Sequence, residues 1–126
     1  MKTKFTYTGI RVKDLERSIQ FYTQVLGMKE TGRSKIDQSK GEVVSLTTHE
    51  GGPVLELNYY ETNSPFYSEY VPGEGVDHLA FQVDDLDKAL AEAREAGYPL
   101  ALEMKTGSSR WVYIKDPNGI FIELFA

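Results

Sequence analysis

Along the chain, short stretches in which apolar and polar residues alternate are interrupted by two longer stretches in which apolar residues recur every three or four positions. Alternation puts successive side chains on opposite faces of a strand, and it predicts strands at 7–12, 42–47 and 54–59, then at 78–83, 110–114 and 120–125. The helical spacing falls on Leu15, Ile19, Tyr22 and Leu26, and again on Leu86, Leu90, Ala93 and Ala96. Asp14 and Asp85 stand just ahead of these runs, where a carboxylate caps free amide groups, and Gly27 and Gly97 stand where a helix ends in a left-handed residue. Tight turns are predicted at Glu50-Gly51-Gly52-Pro53 and at Asp116-Pro117-Asn118-Gly119. The stretch 61–75 is rich in Ser, Pro, Gly and Tyr, has no period, and reads as a connection.

The second half repeats the first. Val12-Lys13-Asp14-Leu15-Glu16-Arg17-Ser18-Ile19 matches Val83-Asp84-Asp85-Leu86-Asp87-Lys88-Ala89-Leu90 at a constant offset of 71 (83 − 12), and each copy carries strand, cap, helix and further strands in the same order. The reading is one α+β domain over 1–126, with a first βαβββ module at about 5–60, a linker at about 61–75 and a second module at about 76–126. A chain of 126 residues holds one compact core and is short for two independent domains.

Composition narrows the partners. Fourteen basic residues against 19 acidic ones give a net charge of −5, and the basic residues form no stripe that tracks phosphates, so nucleic acid is not expected. No run approaches the roughly 20 apolar residues of a membrane span, and Lys2 and Lys4 lead into threonines rather than into the apolar stretch of a secretory signal. With no cysteine there are no disulfides and no thiolate chemistry, and a cytoplasmic location is expected. Only two histidines are present, so metal or proton chemistry has to draw on carboxylates and hydroxyls.

Glu56, in Leu55-Glu56-Leu57, and Glu123, in Ile122-Glu123-Leu124, occupy the middle of the last strand of their halves. The offset of 71 pairs His78 with Tyr7 at the start of the first strand of each half. A lone strand glutamate faces solvent more often than not, and a lone histidine is more often packed than ligating, but the duplication brings these positions together as a set. Glu, His and Glu make a sound oxygen and nitrogen donor set for a divalent metal. Trp111 and the tyrosines at 59, 60, 67 and 70 either line an apolar pocket or fill half-buried sheet positions.

The run from Ile10 to Met28, together with Leu55-Glu56-Leu57, Asp77-His78-Leu79-Ala80-Phe81 and the segment from Asp116 to Leu124, resembles glyoxalase I of the vicinal oxygen chelate superfamily over nearly the whole chain. The resemblance implies that the two tandem modules form a curved mixed-sheet cleft and that the chain is a metal-dependent lyase or isomerase. Its substrate would be a 2-oxoaldehyde hemithioacetal, processed through an enediolate. It implies a divalent metal (Ni, Zn, Mn, Co or Fe) held by Glu56, His78 and Glu123, with Tyr7 at the fourth place, where the family has histidine. Glu123 and Glu56 would move the proton. Arg11 matches an arginine that the family turns towards the carboxylate of glutathione or another thiol, and Tyr60 stands where an asparagine is usual. His49 is the other histidine, in the turn before Val54. A homodimer is expected by analogy. The alternative readings are a small-molecule-binding protein of the antibiotic-sequestering type and another metal enzyme such as an epimerase.

Overall fold

In the computed structural model every residue is described except Thr3, Phe5, Gly75 and Asp77, so Asp77 of the motif above lies outside the described residues. Two compact units are present, Met1–Tyr70 and Val71–Ala126.

In the first unit β1 (Tyr7–Arg11) leads into α1 (Leu15–Gln20), followed by β2 (Lys29–Ile36), β3 (Gly41–Thr47) and β4 (Val54–Tyr60). The sheet order is β1-β4-β3-β2, with β1 parallel to β4 and the other pairs antiparallel. The second unit repeats this plan with β5 (His78–Gln82), α2 (Leu86–Glu95), β6 (Leu102–Thr106), β7 (Ser109–Lys115) and β8 (Phe121–Phe125), in the order β5-β8-β7-β6. A parallel pair needs a crossover, and each crossover contains the helix. The fold is α+β, as the alternating pattern predicts.

Sheet pleating assigns the core. Ile10, Val44, Leu46, Leu55 and Leu57 are buried together with Leu15, Phe21 and Tyr22 in the first unit; Val112, Ile114, Ile122 and Leu124 are buried with Leu86 and Ala93 in the second. Each such Val, Leu, Ile or Phe side chain contributes about 1.5–3 kcal/mol by leaving water. Both helices are capped as expected: Asp14 Oδ1 accepts from the Arg17 amide at 3.1 Å and Asp85 Oδ1 from the Lys88 amide at 3.0 Å. Gly27 (φ 70°) and Gly97 (φ 93°) follow in the left-handed region.

The first helix departs from its predicted stripe. After Gln20 the chain widens into a π-helical turn, Phe21–Val25, with the Leu26 amide donating back to the Phe21 carbonyl at 3.3 Å. The additional residue in that turn rotates the inward face by about 100°. Leu15 and Tyr22 of the stripe are buried, Ser18 and Phe21 are fully buried beside them, and Ile19 and Leu26 are half-buried. In α2 the stripe ends at Ala93; Ala96 is the exposed residue that closes the helix.

Residues 61–70 pack with the first unit. Ser64 is buried and its hydroxyl donates to the Ser39 carbonyl, and the Glu61 amide donates to the Lys40 carbonyl at 3.0 Å. At the other turn, Asp116 Oδ1 accepts from the amides of Asn118 and Ile120, both at 2.8 Å, and Gly119 takes φ 87°. This turn fixes the β7–β8 register, Lys115 opposite Phe121 and Tyr113 opposite Glu123. Among the described residues no helix is long and apolar enough to cross a membrane.

Candidate functional site

In β8 the pleat turns Ile122 and Leu124 into the core, which leaves Phe121, Glu123 and Phe125 on the opposite face of the sheet. Register places His78 and Ala80 of β5 on that face on one side, and Trp111, Tyr113 and Lys115 of β7 on the other. His78 Nε2 lies 3.3 Å from Glu123 Oε2, with side-chain exposures of 36% and 20%. The Tyr113 hydroxyl donates to the same Oε2 at 2.8 Å. The Tyr113 ring stands edge-on to the rings of His78 (5.8 Å between centroids, 84°) and Phe121 (5.9 Å, 76°). Glu123 and His78, picked out by the repeat, are thus brought together.

Glu56 holds the matching place in the first unit. Leu55 and Leu57 point into the core, and Glu56 shares the other face with Gly9 of β1 and Ser45 of β3, its register partners. A Cβ at Gly9 would lie 3.1 Å from Asn58 Nδ2 and 3.8 Å from Glu56 Oε1, so the missing side chain leaves the space in which these two polar groups stand. Among the described residues no side chain hydrogen-bonds the Glu56 carboxylate. Tyr7, two residues before Gly9 on the same strand, is 51% exposed. His49 is engaged locally: its Nδ1 is 2.9 Å from Thr48 Oγ1, and its ring lies so close to Gly52 that a Cβ there would approach to 2.6 Å.

Arg11 ends β1 at the rim of a hollow of about 340 Å³ that Lys13, Tyr59, Tyr60, Tyr67 and Tyr70 also line. Its guanidinium donates to the Ser68 hydroxyl and lies 5.6 Å from the Tyr60 ring centroid, while Lys13 Nζ lies 5.2 Å from that of Tyr70. The tyrosine cluster therefore lines a pocket as well as packing, and two cations sit over its rings. Trp111 lies elsewhere, on β7 in the second unit.

A nitrogen and an oxygen that share a divalent ion at about 2.0–2.2 Å stand roughly 3 Å apart. The 3.3 Å between His78 and Glu123 fits two neighbouring ligands of one ion. Among the described residues no three His, Asp or Glu side chains gather closely enough to hold a metal.

The sequence model of the Glyoxalase/Bleomycin resistance protein/Dioxygenase superfamily matches residues 4–124. The chain belongs to this superfamily. Superfamily relatives include the lactoylglutathione lyase of Salmonella typhimurium, 35% identical over 125 residues that cover 96% of this chain and 90% of that one. The probable lactoylglutathione lyase of Vibrio parahaemolyticus is 32% identical over 126 residues, covering 96% and 88%. Among solved structures, the trypanothione-dependent glyoxalase I of Leishmania major superposes with a TM-score of 0.79 at 32% identity, covering 98% of this chain and 86% of that one. TnmS3, an antibiotic-binding protein from Streptomyces, shares the fold, with a TM-score of 0.74 at 21% identity over 99% and 97% of the two chains.

Tyr113 is the site residue that the sequence pattern did not single out. The signal was nonetheless there: counting two residues outwards from each side of the turn that joins Lys115 to Phe121 pairs Tyr113 with Glu123.

Proposed function

We propose that this chain is a metal-dependent, glyoxalase I-like lyase acting on the hemithioacetal of a 2-oxoaldehyde and a thiol. The observation that carries the reading is the His78–Glu123 pair on the outer face of the second sheet, with Glu56 at the same strand position in the first. Support also comes from relatives at 32–35% identity that are named lactoylglutathione lyase.

The proposed ligand set is Glu56, His78 and Glu123, with the Tyr7 phenol at the fourth place; because no three such side chains gather among the described residues of one chain, the proposal has the set completed between two copies of the chain in a homodimer. A divalent ion held there supplies a Lewis acid for negative charge that develops on two adjacent substrate oxygens. The proton on the carbon next to the carbonyl has to be moved by a side chain, and a carboxylate in reach is the natural group. Glu123, oriented by Tyr113 and His78, is assigned as the base. Glu56, which has no hydrogen-bonding side chain of its own among the described residues, is assigned to the proton on the opposite face of the substrate. Arg11 carries a positive charge for a carboxylate on the thiol, and the tyrosine-lined hollow beside it holds the rest of that ligand. A homodimer belongs to the same reading.

A second reading, a protein that holds a small molecule without transforming it, is favoured by Tyr7 in place of histidine and by the aromatic hollow. One experiment separates the two. Dialysed protein is reconstituted with Ni, Co, Zn or Mn, its metal content per chain is measured, and turnover of methylglyoxal with glutathione is followed. About one ion per chain with metal-dependent turnover supports the lyase; metal-free protein that is inactive under every condition overturns it in favour of the binding protein.

A further inference from the structure

We infer that Tyr113 is the positioning residue of the His78–Glu123 pair, setting how tightly and in what geometry the pair takes a metal; the inference rests on the metal-site reading above. Tyr113 sits directly across from Glu123 in the β7–β8 register, so its reach to the carboxylate is fixed by backbone pairing rather than by a flexible loop. Its hydroxyl donates at 2.8 Å to Glu123 Oε2, the oxygen that also faces His78 Nε2 at 3.3 Å. The same ring stands edge-on against His78, so one side chain restrains both members of the pair. Phe121 packs edge-on against the same Tyr113 ring, 5.9 Å between centroids.

The energetic consequence follows from preorganisation. A glutamate has three side-chain rotors to still when it binds an ion, and one already held by a phenol loses less freedom at that moment. The donor is neutral, so the carboxylate keeps its attraction for a cation. Partners of metal ligands typically contribute 10–100-fold in affinity when they orient the ligand. The first unit supplies an internal control. Ser45 occupies the place of Tyr113 opposite Glu56, and its shorter side chain makes no hydrogen bond to that carboxylate.

The test uses cobalt(II) chloride alone, with no substrate. Wild type, Tyr113→Phe and Glu123→Gln are titrated with Co²⁺ while the visible absorption bands are recorded, and the metal-free proteins are melted in parallel. Tyr113→Phe keeps the ring against His78 and Phe121 and removes only the hydroxyl. The expected result is Co²⁺ binding weaker by about 10-fold or more with shifted absorption bands, and a melting temperature lowered by no more than the loss of one part-buried hydrogen bond allows. With methylglyoxal and glutathione, the same variant should lose kcat more than it changes KM, because a base displaced slightly is a poorer base for substrate that still binds. A Tyr113→Phe protein with wild-type Co²⁺ affinity and wild-type bands overturns the inference while the lyase reading stands. The same holds if only the melting temperature falls. If wild type takes up no Co²⁺, the metal-site reading fails and this inference fails with it.

Discussion

The two units build the same sheet around the same Leu-Glu-Leu or Ile-Glu-Leu strand, yet they treat the central carboxylate differently. In the first unit Glu56 stands between Gly9 and Ser45, small residues that leave it without a hydrogen-bonding side chain among the described residues. In the second, Glu123 stands between Ala80 and Tyr113 and meets both the Tyr113 hydroxyl and His78. Duplication thus supplies two carboxylates at equivalent places, and the neighbours on the adjoining strands decide which is held and which is left adjustable. A held carboxylate suits a base that must be in place before reaction. An adjustable one suits a group that moves as substrate enters.

The most severe way to break this contrast is to remove each charge in turn. On the proposed lyase reading, Glu123→Gln should lower kcat for methylglyoxal and glutathione by about 100-fold or more, the low end for losing a positioned base. Glu56→Gln should also lose activity, by a smaller factor. If Glu56→Gln proves the more damaging in steady-state kinetics, the roles of the two carboxylates are reversed. On the same reading, His78→Ala, which removes the nitrogen donor beside Glu123, should abolish metal uptake as measured by elemental analysis of the reconstituted, dialysed protein.

The cores offer a second test, one in which the units are expected to behave alike. Leu57 and Leu124 follow the two glutamates and are 0% and 2% exposed. Truncation to alanine removes packed methyl groups and leaves a void, so each variant should lose about 2–5 kcal/mol in denaturant unfolding. A large difference between them would show that the units differ in how readily their cores collapse. The caps call for a smaller, equally matched pair of changes. Asp14→Ala and Asp85→Ala each remove one amide acceptor and should cost about 1 kcal/mol by the same measurement.

Much of this symmetry is legible in the sequence because it rests on local chemistry. The offset of 71, the capping aspartates, Gly27 and Gly97, and the turn from Asp116 to Gly119 each follow from a residue whose conformational preference is specific. What was not legible depends on neighbours distant in sequence. β2 and β6 are edge strands exposed at every position, so no alternation marks them. The π-helical turn at Phe21–Val25 shifts a stripe whose spacing fits an ordinary helix as written. Residues 61–70 look like a connection because their anchor is a small polar side chain, Ser64, rather than an apolar one. Nothing in the local sequence sets Tyr113 apart from an ordinary strand aromatic, because its contact with Glu123 appears only when β7 is laid in register against β8.

The smallest expected effect concerns the outer surface, where the units reach one solution by different placements. In the first, Arg33 on β2 donates to Glu16 in the first turn of α1 and, at 2.6 Å, to Glu42 on β3. In the second the cation has moved to the inner strand: Arg110 on β7 donates to Asp87 in the first turn of α2 at 2.7 Å and to Glu103 on the edge strand β6 at 2.6 Å. Both arginines are pushed further towards the charged form by these carboxylates and stay charged at all ordinary pH. Any acid sensitivity must therefore come from the acids. The hydrogen bond from Arg110, with the charge of Lys105 adding to it, holds Glu103 below its ordinary value of 4.5. A depressed carboxylate stabilises the folded state fully above its unfolded pKa and loses that contribution as pH falls through the lower folded value. Glu103→Gln should therefore melt slightly below wild type at pH 7, by less than either cap variant because the site is exposed and screened by solvent. The gap should narrow below about pH 4, where wild type gives up the same interaction, and it should shrink in high salt. A gap that persists unchanged into acid would mean that Glu103 acts through packing rather than charge.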